Sequence, residues 1–377
     1  MRATTMRIDR VTLMEVQMDL VTPFRTSSLE VRGLRHALVR AEATGLVGWG
    51  ECAALPDPHY VGETAESAWL ALRDVIVPAV LGVEWSGIEE LVSHYRGVRG
   101  NTFARAAMEL AAWDLLGKSR GQSLAAMLGG TRSEVASGVV LGLRTDRGEL
   151  LESIARHVQE GCPRVKLKIA PGKDVALVEA VRGRFPELAL MVDANSAYTL
   201  ADAPTLARLD AFDLMMIEQP LAWDDFADHA ELQTMLRTPI CLDESIGSFN
   251  DARTALALGS CRVLNIKPGR VGGLLEAKRI HDLCMARGVP VWCGGMLEFG
   301  IGRAANLALA SLPGFTLPGD NLGSDRYFTR DLVEPVIRDR AGILSVPRGP
   351  GIGCTVDEEH LRRHRVRAIT LTAHARY

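Results

Sequence analysis

Five short runs decide the fold: VKLKI (165–169), MVDAN (191–195), MIEQP (216–220), CLDES (241–245) and LNIKP (264–268). Each is an apolar run carrying ionisable residues at its C-terminal end. These are Lys166 and Lys168, then Asp193, Glu218, Asp243 and Lys267. From Lys168 onward the intervals are 25, 25, 25 and 24 residues. Amphipathic segments of helical period and short polar links lie between the runs. A strand followed by a helix, repeated at this spacing, is the pattern of parallel βα units. Adding VVLGL (139–143), VPVWCGG (289–295) and FTLPGD (315–320) makes eight such runs. That predicts an α/β fold, a modified TIM-like (β/α)8-type barrel over residues 131–340. A solenoid of this period would need a repeated side-chain consensus, and none is present.

The flanks read differently. Residues 7–20 and 34–43 alternate like strands, and 63–76 and 104–117 have helical pattern. The second helix places Ala107, Leu110, Ala111 and Leu115 on one face. Residues 1–130 are therefore expected to form an α+β capping domain. Residues 341–377 hold a strand-like piece (GILSVP), a Gly-rich turn (GPGIGC) and a basic helix, and are expected to return to that domain.

Composition narrows the function. A formal net charge of −3 gives no electrostatic footprint for nucleic acid or an anionic membrane. No apolar run approaches the roughly 18 residues of a membrane span, and the opening MRATTMRIDR is too polar for a signal-peptide core. The seven cysteines contain no C-x-x-C pair, which points to reduced thiols and a cytoplasmic protein.

In a barrel the C-terminal strand ends converge on one mouth, where such folds carry their chemistry. A single charge there is usually a solvated loop residue. Five strand ends in register, ordered base, acid, acid, acid, base, describe a carboxylate cluster with a lysine on either flank. Three carboxylates on rigid strands suit a hard cation, Mg²⁺ first and Mn²⁺ next. Removing an α-proton from a carboxylate builds a second negative charge on the same group, which a divalent ion stabilises. A lysine can take that proton if its pKa is lowered. Lys166 and Lys168 are two apart and point to the same side of a strand, so each ammonium disfavours the other. The alternative for this pair is plain neutralisation of the acids.

These runs, with WCGGMLEFGIGRAANLALASLPGFTLPGD (292–320), resemble the enolase superfamily, and within it the muconate lactonizing enzyme subgroup. The likeness is strongest to the o-succinylbenzoate synthase / N-acylamino acid racemase family. It extends to VTPFRTS and to YRG…ARAAMELAAWDLLGK near the start. The resemblance implies Mg²⁺ on Asp193, Glu218 and Asp243. It implies Lys168 as the base in dehydration, Lys267 as the second acid/base in racemisation, and Lys166 as the group that tunes Lys168 and helps hold the substrate carboxylate. Asn195 and Glu244 would support the metal ligands, and Phe24 and Tyr60, in two N-terminal loops, would close over a small carboxylate substrate. A homo-oligomer between dimer and octamer is expected. The implied activity is dehydration to o-succinylbenzoate, as in menaquinone synthesis, racemisation of N-acylamino acids, or both. Dipeptide epimerisation, muconate cycloisomerisation and an inactive barrel that only binds are the alternatives. An epimerase usually carries an Asp-x-Asp pair late in the barrel, whereas Asp320 and Asp325 here are five apart.

Three positions depart from the family pattern. Val140 stands where a small hydroxyl residue is common, Phe299 where Thr or Ser is, and Ala305 where His is. Together they predict a more apolar pocket of different shape. Glu298 either contacts substrate or Lys267 or is a surface carboxylate. Arg270 either pairs with the acids or points to solvent, and Met296 is a further candidate contact. Gly272 and Gly273 read as a tight βα turn rather than a phosphate cradle. Trp292 and Cys293 read as barrel core.

Overall fold

The computed structural model of the protein describes residues 5–25, 30–142 and 146–373, and the side chains of all of these except 23–25, 30 and 31. Near the N-terminus β1 (Arg10–Arg25), β2 (Glu30–Ala43) and β3 (Leu46–Cys52) form an antiparallel meander. Val11 and Leu13 are buried near the start of β1 and Val16, Met18 and Leu20 further along it, while Arg10, Gln17 and Asp19 stay exposed.

Helix α1 (Thr102–Arg120) lies across this sheet, and two glycines set the distance. A Cβ on Gly48 would stand 2.2 Å from Ala111 O, and one on Gly50 would stand 1.9 Å from Ala107 O. Glycine is what lets helix and sheet backbones approach this closely. The helix is buried on nearly every side from Phe103 to Gly117, not on the single face its periodicity indicates. The sheet covers one side and the barrel the other.

The barrel strands follow in chain order: β4 (Val139–Leu141), β5 (Val165–Lys168), β6 (Leu190–Asp193), β7 (Ile217–Glu218), β8 (Ile240–Leu242), β9 (Val263–Ile266) and β10 (Val291–Cys293). Each is parallel to its neighbour. The connections include α2 (Arg147–Gln159), α3 (Val175–Arg184), a broken helical run over 200–212, α4 (Phe226–Met235), α5 (Phe249–Leu258) and α6 (Leu274–Ala286). Helix α7 (Gly300–Ala310) follows β10.

The eighth run is a correction. Residues 315–320 form no strand and are followed by no α-helix. They make single parallel bridges, Phe315 to Val291 and Gly319 to Ser137, that span the gap between β10 and the start of β4. Pro318 has no N–H to donate, so a continuous ladder cannot form there.

Within the barrel Met191, Met216, Cys241, Val263 and Trp292 pack as a separate buried cluster, the floor beneath the ionisable residues. All seven cysteines are free thiols. Finally β11 (Arg365–Thr372) returns to the N-terminal sheet and pairs antiparallel with β1, completing the order β11-β1-β2-β3. Among the described residues no helix is long and apolar enough to cross a membrane.

Candidate active site

Strand register brings the ionisable residues together. Lys168 pairs with Asp193 across β5 and β6, and Asp193 with Glu218 across β6 and β7. Alternation then turns Lys166, Lys168 and their neighbours toward the barrel mouth. Lys168 Nζ lies 2.6 Å from Asp193 Oδ2 and 2.5 Å from Asn195 Oδ1. On the other flank, Lys267 Nζ lies 2.9 Å from Asp243 Oδ2 and 2.9 Å from Tyr60 Oη. Lys166 Nζ reaches Glu218 at 2.9 Å, Asp193 at 3.3 Å and Asp320 at 2.6 Å. It also sits 4.9 Å from the centre of the Trp292 ring.

Two amides hold the acids in place. Asn265 Nδ2 donates to Glu218 Oε1 at 2.9 Å and to Asp243 Oδ1 at 3.1 Å. Gln219 Oε1 accepts from the backbone N–H groups of Asp243 and Ser245, at 3.0 and 3.2 Å. The backbone is strained here too. Asn195, Ser196, Gln219 and Leu297 have φ of 44°, 62°, 39° and 59°, in the left-handed region that non-glycine residues rarely adopt.

Burial makes the electrostatics strong. Burial alone would raise Asp193, but Lys168 and Lys166 hold it well below the usual carboxylate range. Asp243 is likewise held low by Lys267 and Arg270 against its own burial. Asp320 falls to about 2, because Lys166 and Arg164 outweigh burial. Burial lowers the two lysines Lys166 and Lys267, but the surrounding carboxylates outweigh it and hold both above the ordinary lysine value.

The cations of the chain do not compensate every acid. Burial and the charge of Asp193 push Glu218 up to about 8. Burial and the charges of Asp243 and Asp193 push Glu244 up to about 7. Glu244 Oε2 is buried without a hydrogen-bond partner. Among the described residues no three such groups form a ready-made metal cage, since the chain's own cations engage Asp193, Glu218 and Asp243. The donor set is nonetheless three hard carboxylate groups, of which Glu218 keeps an unmet demand for positive charge, and it fits Mg²⁺ or Mn²⁺ in kind.

Above these groups opens a cavity of about 410 Å³, within the usual range for small-molecule sites. Its walls include Lys166, Lys168, Asp193, Asn195, Asp243, Glu244 and Lys267, with Tyr60, Val140, Met296 and Glu298 of the predicted contacts. Glu298 is not a surface carboxylate: it is buried, and its Oε2 accepts from Met296 N at 2.8 Å. Arg270 does not point to solvent. It is fully buried, bonded to Asp243, and 3.2 Å from Tyr60 Oη. The backbone of Phe24 pairs with Val31 in a strand rather than a loop, and its side chain lies outside the described residues.

Two of the three departures from the family pattern lie elsewhere than expected. Phe299 is fully buried against His36 and Phe328, with ring centres 4.7 and 5.3 Å away. Ala305 is buried beside a small interdomain cavity lined by Glu51, Glu298 and Asn306. Only Val140 faces the large cavity, so Phe299 and Ala305 do not shape it by direct contact.

Sequence reading missed Asn265, Asp320, Arg164, Arg303 and Tyr327. Asn265 lies two residues before Lys267 on one strand, and Asp320 closes the eighth run as a carboxylate, so the rule that found the others covers both. Arg164 bonds Asp320 from below at 2.6 Å. Arg303 and Tyr327 reach the cavity only through the tertiary fold.

A seven-stranded parallel barrel, a capping sheet completed by the chain's far end, and acids flanked by lysines at the barrel mouth define one class of enzyme. Residues 149–360 match the family described as enolase C-terminal domain-like, and residues 8–129 match the mandelate racemase / muconate lactonizing enzyme N-terminal domain. The chain belongs to the enolase superfamily, in the muconate lactonizing enzyme subgroup, and it is an enzyme. It is 50% identical to the o-succinylbenzoate synthase of Geobacillus kaustophilus over 95% of this chain and 96% of that protein. It is 48% identical to the N-succinylamino acid racemase of an Amycolatopsis species over 92% of this chain and 95% of that one. A crystal structure of an enolase superfamily member from Listeria innocua superposes with a TM-score of 0.95 at 41% identity, covering 98% of this chain and all of that one.

Proposed function

We propose that this enzyme removes the α-proton of a small carboxylate substrate to give an enediolate, and that it acts as an o-succinylbenzoate synthase, an N-succinylamino acid racemase, or both. The observation that carries this reading is the opposition of Lys168 and Lys267. Each is hydrogen-bonded to a different acid of the row, Asp193 and Asp243, and both line one cavity.

Asp193, Glu218 and Asp243 would hold a divalent cation, Mg²⁺ or Mn²⁺. When bound, it would supply positive charge beside the substrate carboxylate and the neighbouring lysines, which favours the neutral amine on a lysine that acts as base. Lys168 takes the α-proton. In dehydration the protonated Lys168 then gives that proton to the hydroxyl on the adjacent carbon, which departs as water while the C=C bond forms. In racemisation Lys267 returns a proton to the opposite face. Lys166, anchored by Asp320, keeps a positive charge beside the substrate carboxylate.

An epimerase reading would need a carboxylate open to a substrate ammonium. Asp320 is already engaged by Lys166 and Arg164, and Asp325 pairs with Arg338 at 3.4 Å. The test is an assay of purified enzyme with Mg²⁺ against the cyclohexadiene hydroxy acid and a panel of N-succinylamino acids, following Cα–deuterium exchange by NMR. Exchange without net dehydration or racemisation would remove the proposed reactions and leave only the proton abstraction. No exchange on any of them would remove the reading.

A further inference from the structure

Residues 295–298 form one wall of the cavity, and Leu297 within it holds a strained left-handed backbone. Immediately beyond, Phe299 is the N-cap of α7 and offers no side-chain acceptor. A helix start leaves N–H groups that need partners. Here the partner comes from the capping domain. Glu51 on β3 accepts from Phe299 N through Oε1 and from Gly302 N through Oε2, both at 2.7 Å. Oε1 also stands 2.7 Å from His36 Nδ1 on β2. Both side chains are almost wholly buried, at 0% and 2% exposure.

The approach is specifically accommodated. A Cβ at Gly302 would meet Glu298 Cγ at 2.8 Å and Glu51 Oε2 at 3.1 Å. Glu298 in turn holds the loop from inside, through Met296 N. A carboxylate is the right group at this place, because it satisfies two amides at once and opposes the positive end of the helix dipole. Gly294, where the loop begins, leaves Lys267 Cε within 2.5 Å of its would-be Cβ, so the same loop also backs a candidate catalytic lysine.

We infer that Glu51, oriented by His36, is a positioning residue. By holding the start of α7 from the capping domain it clamps the adjoining 295–298 loop, and thereby fixes that wall of the substrate cavity. The bonds to Phe299 N and Gly302 N are a property of the fold. The role in substrate binding rests on the proposed function.

The experiment compares full-length wild type with Glu51→Gln and Glu51→Asp. Gln turns an N–H toward helix donors, and Asp is too short to reach both amides. Glu51→Gln is expected to melt cooperatively and to raise KM for N-succinylamino acids at least tenfold, with kcat within about threefold. Amide hydrogen exchange across 295–302 should be at least tenfold faster, and Glu51→Asp should fall between. Unchanged exchange at 295–302 in folded Glu51→Gln overturns the clamp. Faster exchange with unchanged KM overturns its role in substrate positioning. If Glu51→Gln does not fold, wild-type exchange and KM in Glu51→Asp overturn both. If wild type turns over no substrate yet Glu51→Gln loses exchange protection, the functional reading fails and the clamp stands.

Discussion

Tyr60 of the capping domain accepts a hydrogen bond from Lys267 of the barrel, Nζ to Oη 2.9 Å, and its hydroxyl lies 3.2 Å from Asp243 Oδ1. Burial and the charge of Asp243 raise its pKa, so it remains a phenol. Tyr60→Phe deletes this link while keeping the ring that lies 4.7 Å from Lys267 Nζ. Loss of one hydrogen bond to a buried ammonium costs roughly 1–3 kcal/mol, about 5- to 150-fold in rate. Racemisation, which needs Lys267 to carry a proton, should lose more kcat/KM than dehydration does. Equal losses in the two assays would show that Tyr60 does not act through Lys267.

The two lysines should separate by enantiomer. Lys168→Ala and Lys267→Ala should each lower racemisation by at least about a thousandfold, the range of general acid–base contributions. Each variant should retain Cα–deuterium exchange with the one enantiomer whose proton faces the surviving lysine. Retention of exchange with both enantiomers by either variant would mean that the missing lysine is not a base.

Cation binding should appear as stability. A divalent ion at one hundred times its Kd adds about 2.7 kcal/mol to the folded state, so Mg²⁺ should raise the melting temperature and chelation should abolish activity. Glu218→Gln removes one of three neighbouring carboxylates. It should erase the Mg²⁺-dependent rise without lowering the melting point in chelator. A full Mg²⁺ shift in that variant would exclude Glu218 as a ligand.

Glu109 on α1 accepts from Leu275 N at the start of α6 at 2.8 Å and from Trp113 Nε1 at 3.0 Å. Burial raises its carboxyl to about 7 despite these bonds. A folded pKa above the unfolded value adds stability that is complete below about 4.3 and is lost as pH rises through about 7. The size is on the order of 3 kcal/mol. Denaturant midpoints should therefore fall between pH 4.5 and 7.5 more steeply in wild type than in Glu109→Gln. Parallel curves would place this titration elsewhere.

The acids and lysines are legible in the sequence because a strand end has an address. An inward residue at the C-terminal end of each βα unit reaches the mouth whatever the rest of the chain does. Lys168, Asp193, Glu218, Asp243 and Lys267 obey that rule. The eighth run obeys it at Asp320 but fails as a strand, since Pro318 interrupts the ladder that apolar patterning suggests. Glu51 had no address of this kind. It lies 248 residues from Phe299, and nothing local marks a strand carboxylate as the cap of a distant helix. Phe299 and Ala305 were misplaced for a related reason. The turn that starts α7 leaves both outside the large cavity, with Phe299 packed against His36 and Ala305 beside a cavity that Glu51 also lines.

The pairing of β11 with β1 bears on how the molecule is made. Thr12 meets Thr370 across these strands, 358 positions later in the chain. At roughly 5–20 residues per second, a ribosome needs roughly 20–70 s to travel that far. During that interval one edge of the first hairpin waits without its neighbour while the whole barrel is synthesised. The strands β1 and β2 thus emerge long before the strand that completes their sheet.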